Sequence, residues 1–374
     1  MTPQRPCVMM IAGEASGDQY GAFVLRELRA RIPEVEVFGI GGDRMAAEGM
    51  ELLFHTSQTA IMGFVEVVKH AGLLRDMFRR CTAELHARKP SAVLLIDYPG
   101  FNLKFARRVR AAGGKVLYYI SPQVWAWGKG RAEKLRDLVD HLAVVFPFEE
   151  ELFRAIDVPV SFVGHPLLEI LPQLSRADFL AAHGLPDTTL LGLFPGSRRQ
   201  EVERLLPPMI EAARRVCREV DCLPVIGAAG LPDELYHRFL PGDCPVRLLR
   251  GATHGLMQHS HTAIVASGTA TVETAYYGTP MVIVYRTSFL NYEIGKRLIN
   301  IDTIGMANIL AGKRIVPELL QGDVTPHYIS EYVLKLMQDS AYREHTIQEL
   351  HAVKQRMGTA GASARVAEKL ISMM

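Results

Sequence analysis

The chain has 374 residues, too many for a single hydrophobic core and suited to two domains of ordinary size. Its 48% hydrophobic and 22% charged residues are those of a globular protein, and a formal net charge of +2 lacks the basic excess of a dedicated nucleic-acid binder. No run of 18 apolar residues occurs, so no spanning segment is expected and any membrane contact is peripheral.

Arg5 leads directly into a short apolar run, shorter than a secretory core, so no signal peptide is expected. That run, Cys7 to Ala12, predicts a strand; the string GEASGD (Gly13 to Asp18) and a helical pattern at Ala22, Leu25 and Leu28 follow it. Further strands are predicted near 35–40, 92–97, 115–121, 141–146 and 160–163. After Gly164 the chain changes character, and Pro166, Pro172 and Pro186 punctuate a stretch that reads as a connection between domains. The second half predicts strands near 190–194, 223–226, 246–249, 263–266 and 281–285. The last fifty residues read as helices, with Tyr332, Leu336, Val366 and Leu370 on apolar faces. Short strands alternating with helical patterns imply parallel sheets covered on both faces. The expected fold class is α/β, with two doubly wound, Rossmann-like domains facing a central cleft. Residues 1–168 would form the first domain and 186–340 the second, while 341–374 would be helices returning towards the first. Five cysteines, scattered and without a C-x-x-C pair, read as reduced core thiols of a cytoplasmic protein.

The strand, glycine-rich loop and helix of the N-terminus recur in the second half, where Leu190 to Phe194 runs into PGSRRQE (Pro195 to Glu201). Such a loop aims backbone N–H groups and the positive end of a helix dipole at an anion. Pro195 and Gly196 supply the tight turn, Ser197 a cap and Arg198 a cation, a combination suited to a diphosphate. An ordinary helix cap beside a surface arginine fits the same residues. A further small-residue turn, SGTATVE, begins at Ser267 and Gly268, with Thr269 or Thr271 as hydroxyl donors. Glu273 in that helix could accept both ribose hydroxyls of a nucleotide, or simply complement the helix dipole. In the first half, AVLLID ends at Asp97, where a strand-end carboxylate can take a proton from a sugar hydroxyl if burial tunes its pKa. A turn-stabilising aspartate ahead of Pro99 is the alternative. Glu14, Ser16, Gly17 and Asp18 on the first glycine-rich loop are the candidate acceptor contacts. No D-x-D pair occurs, the spacing of His254, His259 and His261 matches no familiar zinc motif, and the Gly39 to Gly42 string is a poor dinucleotide fingerprint. Neither a metal nor a cofactor is expected.

The segment Ile61 to Arg80 is basic and amphipathic, with Phe64, Val68, Leu73 and Met77 among its apolar positions. Residues 104–136 hold nine Lys/Arg against one acid and include Trp125 and Trp127. Both features suit a peripheral membrane surface. Packing of the apolar face on the protein's own sheet is the competing reading.

Taken in chain order, AGEASGD (12–18), MGFVEV (62–67), IDYPGFN (96–102), YYISPQVWAW (118–127) and FPFE (146–149) resemble the bacterial lipid-A-disaccharide synthase family. FVGHP (162–166), LFPGSR (193–198), SGTATVE (267–273) and NILAG (308–312) continue the match across nearly the whole chain. These are glycosyltransferases of GT-B fold, grouped as glycosyltransferase family 19. The resemblance implies an inverting, metal-independent condensation of UDP-2,3-diacylglucosamine with 2,3-diacylglucosamine 1-phosphate, giving UDP and a β-1,6-linked disaccharide of lipid A. It implies Asp97 as general base on the acceptor's 6-hydroxyl, and Arg198, Glu273 and Asn308 as residues holding UDP. Some relatives carry a second acid where this chain has Gly100, so no role for such an acid transfers. The implied location is the cytoplasmic face of the inner membrane, and a homodimer is compatible with it. Two alternatives stay open at this point: a UDP-N-acetylglucosamine 2-epimerase of the same fold, and a non-catalytic nucleotide-sugar or membrane-binding protein.

Overall fold

The computed structural model describes residues 6–59, 71–122, 135–240, 246–287 and 303–374. The chain forms two units, one of Met1–Glu169 with Met357–Met374, the other of Ile170–Arg356. In the first, strands β1 (Cys7–Ala12), β2 (Glu36–Gly41), β3 (Glu51–His55), β4 (Ala92–Ile96), β5 (Val116–Tyr119), β6 (His141–Val144) and β7 (Val160–Phe162) make one parallel sheet. Its order is β3-β2-β1-β4-β5-β6-β7. In the second, β8 (Leu190–Phe194), β9 (Leu223–Ala228), β10 (Arg247–Arg250), β11 (Thr262–Ala266), β12 (Met281–Tyr285) and β13 (Glu318–Leu320) are also parallel, in the order β10-β9-β8-β11-β12-β13. Both sheets are doubly wound, the Rossmann-like pattern expected for each half of the chain.

The central strands explain why the sequence was readable. β1, β4, β8 and β11 are buried along their whole length, so each appears as an unbroken apolar run. Eleven of the thirteen strands among the described residues were expected. The two that were not, β3 and β13, are short edge strands of five and three residues. β3 begins with Glu51, which is paired with Arg88 at 2.6 Å and buries only Leu53 fully. β13 has three residues, and its Glu318 carboxylate accepts from Ile304 N and Gly305 N.

The first unit ends at Glu169, next to the expected boundary at 168, but the second takes in the stretch from Ile170 and runs on to Arg356. The supposed connection holds a helix, Arg176–Ala182, capped by Ser175 and anchored by buried Phe179 and Leu180 in the second unit. The helix Ser340–Arg356 also stays with the second unit, and only the helix Ala362–Met373 joins the first. There Ser363 binds Glu169 through both N and Oγ, and Arg365 Nε donates to Val163 O. The cysteines are not all scattered, since Cys217 and Cys222 stand with sulfurs 3.6 Å apart.

Candidate active site

Strand order reverses between β1 and β4 in the first unit and between β8 and β11 in the second. In doubly wound sheets ligands bind beyond the carboxyl ends of the strands at such a reversal. The loops leaving those four strands carry the string GEASGD, Asp97, the PGSRRQE turn and the SGTATVE turn. Within each unit, therefore, the fold draws together residues that are far apart in sequence.

In the first unit β4 stops at Ile96, and Asp97 and Tyr98 both take left-handed backbone conformations, with φ of 45° and 49°. Asp tolerates that region, but for a ring-bearing residue it is a strained position of the kind stored at functional sites. Several bonds hold the strain in place. Asp97 N donates to Tyr119 O at 2.9 Å, while Asp97 O accepts from Asn102 Nδ2 and from the Tyr118 hydroxyl, each at 2.7 Å. Gly13 is required opposite, because a Cβ there would collide with the Tyr98 ring. Pro99 then starts the helix Pro99–Ala111 with its φ already suited to a first turn.

The backbone of Asp97 is thus fixed while its carboxylate remains only partly exposed. Burial, and after it the negative charge of Glu14, push this carboxyl up from 3.8 to about 6, against a smaller opposing effect of the Tyr98 N–H. A carboxyl in that range is ionised at neutral pH yet basic enough to accept a proton in a transition state.

The other residues of the GEASGD loop divide. Glu14 neighbours Asp97 electrostatically, and Ser16 is exposed at the start of the helix Ala15–Arg31. Gly17 is buried, where a Cβ would lie 3.3 Å from that of Ala12. Asp18 corrects the expectation of an acceptor contact. It is buried, and its carboxylate accepts from Gly42 N, Arg44 N and Met45 N at 2.6, 3.2 and 3.1 Å. It ties the first helix to the loop after β2 and caps the short helix Asp43–Ala47.

In the second unit Gly196 has φ of 106°, and a Cβ there would strike the Glu201 carboxylate. That carboxylate accepts from Ser197 N at 3.0 Å and Arg198 N at 3.2 Å, and pairs with Arg198 Nη1 at 2.8 Å. Glu201 therefore already sits on the turn's donors as an internal anion, a partner that sequence reading missed although the S-x-x-x-E spacing contains it. Arg198 itself is exposed at the N-cap of the helix Arg199–Val216.

Beside this turn, Ser267 Oγ donates to Ile304 O at 3.3 Å, and Gly268 is exposed with φ of 149°. Thr269 is exposed at the first position of the helix Thr269–Tyr276, whereas the Thr271 hydroxyl is spent on Gly268 O. Glu273 is partly buried, with His254 Nε2 at 3.7 Å, a neighbour not anticipated from the sequence.

Asn308 departs from its expected role at UDP. It is fully buried; its Oδ1 accepts from Ile315 N and Val316 N, and its Nδ2 donates to Val316 O and Glu318 Oε1. All its bonds are internal, fastening the helix Met306–Ala311 to β13.

Of the membrane-facing candidates, Phe64, Val68, Trp125 and Trp127 lie outside the described residues. Met77 is fully buried in the first unit's core, and Leu73 packs partly buried against it, so the helix Ala71–Arg88 turns that face inward. Among the described residues no helix is long and apolar enough to cross a membrane. His254, His259 and His261 each face different partners, and no metal-ligating group of three was found among the described residues.

The family model described as lipid-A-disaccharide synthetase matches residues 8–370. The lipid-A-disaccharide synthase of Trichlorobacter lovleyi is 42% identical over 98% of this chain and 97% of its own, and that of Nitrosococcus oceani is 39% identical over 100% and 98%. Among solved structures, UDP-GlcNAc 2-epimerase from Neisseria meningitidis bound to UDP-GlcNAc superposes with a TM-score of 0.68 at 14% identity, covering 98% of this chain and all of that one. The calicheamicin glycosyltransferase superposes at 0.60 with 16% identity, over 99% and 98%. The structural likenesses speak for the fold alone. The chain belongs to the lipid-A-disaccharide synthase family, and is a disaccharide-forming glycosyltransferase.

Proposed function

We propose, from that membership and from the chemistry at the two strand-order reversals, that the chain condenses UDP-2,3-diacylglucosamine with 2,3-diacylglucosamine 1-phosphate. The single observation that carries the residue assignments is Asp97, a strand-end carboxylate with its backbone fixed and its pKa raised to about 6. The acceptor's 6-hydroxyl oxygen attacks the donor's anomeric carbon from the face opposite UDP. As that bond forms, the bond from the anomeric carbon to the UDP oxygen breaks, and the hydroxyl proton passes to the Asp97 carboxylate. The products are UDP and the β-1,6-linked disaccharide 1-phosphate.

Charge growing on the diphosphate is met in the second unit by the 196–199 turn, by Arg198, and by the N-terminal end of the helix Thr269–Tyr276. Gly196, Ser197, Gly268 and Thr269 let backbone donors approach the phosphates, and Glu273 accepts from the ribose. Glu201 leaves the turn, or shares Arg198, when the diphosphate arrives. Ser267, whose hydroxyl bonds Ile304 O, supports the second turn from behind.

The reaction needs no divalent cation in this reading, because Arg198 and the helix termini supply the positive field and the chain has no D-x-D pair. Acylated substrates call for peripheral association with the cytoplasmic face of the inner membrane, and light scattering distinguishes a monomer from a homodimer. The test is a thin-layer assay with the two acylated substrates, which should yield disaccharide and UDP in equal amounts. Turnover of UDP-N-acetylglucosamine without any acceptor would instead favour the epimerase alternative.

A further inference from the structure

The helices Ala71–Arg88 and Pro99–Ala111 of the first unit leave between them a groove of about 800 Å³, a volume suited to a small amphiphile rather than to water alone. Its floor is aromatic. Phe78 meets Phe101 edge-to-face at 5.6 Å, and Tyr98 stacks on Phe101 at 5.8 Å. Leu74 extends the apolar wall one helical turn from Phe78. Its rim is cationic: Arg75 and Arg79 stand one turn apart on one helix, and Lys104 and Arg108 one turn apart on the other, all four exposed. Arg79 pairs with Asp76 at 3.2 Å, but no acidic residue lines the groove among the described residues.

One end of this groove is built from residues that directly follow Asp97 in the chain. Tyr98, next in the chain to Asp97, forms part of the wall, and Gly100 lies one turn before Lys104 on the same helix face. From Gly100 to Arg108 the face runs about 12 Å at the helical rise per residue. A Cβ built on Gly100 would meet nothing within 4 Å, so the absence of a side chain there keeps the groove open at the Asp97 end.

We infer that this groove is the acceptor subsite, taking one acyl chain of the sugar phosphate along the Phe78–Phe101 floor and its phosphate on the rim of Arg75, Arg79, Lys104 and Arg108. The assignment rests on the disaccharide-forming reading above and adds to it the residues that recognise the acceptor. An apolar floor with a purely cationic rim matches one acyl chain and the phosphate of an acylated anion, and a wall formed by Tyr98, next in the chain to Asp97, matches the substrate whose hydroxyl must be deprotonated. The groove also absorbs the basic character of this region without requiring Met77, which faces the core.

The test uses the full chain and a series of butyl, hexyl and octyl phosphates below their aggregation limits, titrated by calorimetry. Affinity should rise with chain length by up to about fourfold per methylene buried. Gly100→Leu adds side-chain volume at the open end, where a Cβ meets nothing within 4 Å, at a helical position where Leu is the better helix former, and should flatten that dependence. Lys104→Glu and Arg75→Glu should weaken all lengths by the same factor and leave the slope intact. UDP affinity should be unchanged in all three, because the nucleotide turns belong to the other unit. A wild-type slope in Gly100→Leu overturns the proposal. So does absent alkyl phosphate binding together with binding to phosphatidylglycerol vesicles that Gly100→Leu leaves unaltered, which would make the groove a bilayer-docking face. Disaccharide formation by the wild-type chain is scored separately: if it occurs while alkyl phosphates ignore the groove, the subsite fails and the reaction stands. If alkyl phosphates obey the groove while no disaccharide forms, the reaction fails and the subsite stands.

Discussion

Replacing Asp97 by Asn separates the mechanism from the architecture, because two effects of opposite sign are expected from one change. Asn, like Asp, tolerates the left-handed conformation at φ of 45°, and the backbone bonds to Tyr118, Tyr119 and Asn102 do not involve the carboxylate. The fold should therefore survive. The carboxyl rises from 3.8 to about 6 on folding, mainly through burial and then through Glu14. Below about 3.8 it is protonated in both states and costs the fold nothing. As pH rises through about 6 the folded protein must ionise a group in a poor site, and stability is lost. Two pKa units at 1.36 kcal/mol each set an upper bound of about 3 kcal/mol on that loss. The Asn variant escapes it, so at pH 8 it should be more stable than wild type by up to about 3 kcal/mol, with the difference vanishing by about pH 3. Urea unfolding read by tryptophan fluorescence suits the measurement, since Trp125 and Trp127 are the chain's two tryptophans and both lie in its first half. In the thin-layer assay the same variant should lose roughly 10² to 10⁴ in rate, and wild-type kcat/KM should climb with pH through about 6 and then level. A variant that is less stable at pH 8, or that keeps activity within a few-fold, would refute the reasoning.

Arg198→Ala and Glu273→Ala should each weaken UDP binding by about 1.5 to 3 kcal/mol, and unchanged calorimetric affinity in both would remove these turns from the nucleotide site. Asn308→Ala should instead cost about 2 to 4 kcal/mol of stability, because four internal hydrogen bonds go with it, while UDP affinity in the folded fraction stays near wild type. Met77→Ser should destabilise the first unit by about 2 to 5 kcal/mol, as core truncations do, whereas loss of vesicle binding with no loss of stability would return Met77 to a membrane face. Turnover should persist in EDTA; inhibition by the chelator that magnesium reverses would contradict the metal-free reading.

How far the chain could be read depended on whether a residue's partners lie close in sequence. The buried strands were legible because both faces of a parallel sheet are covered, so β1, β4, β8 and β11 needed no alternation to be seen. The glycine-rich turns were legible because their geometry is local, as Gly196 shows with its φ of 106°. Asp18 was misread for the opposite reason. The N–H groups that consume its carboxylate belong to Gly42, Arg44 and Met45, across a crossover connection that no local pattern encodes. Asn308 is the same case, its bonds closing on Ile315 and Val316 and on Glu318 of an edge strand too short to announce itself.

Amphipathic spacing carries a further ambiguity, since a helix pattern gives an apolar face but not what covers it. On the helix Ala71–Arg88, Met77 goes to the core while Leu74 and Phe78 also line the groove, a division set by the neighbouring helix rather than by hydropathy. What distinguishes Asp97 from Asp18 is where the hydrogen bonds go. In Asp18 the side chain holds the backbone of a neighbouring loop, and its carboxylate is taken up by three N–H groups. In Asp97 the neighbours hold the backbone, and the side chain is left with a raised pKa beside Glu14. A carboxylate that the fold positions without using is one that chemistry can use, and neither state can be read from an aspartate at a strand end or a helix start alone.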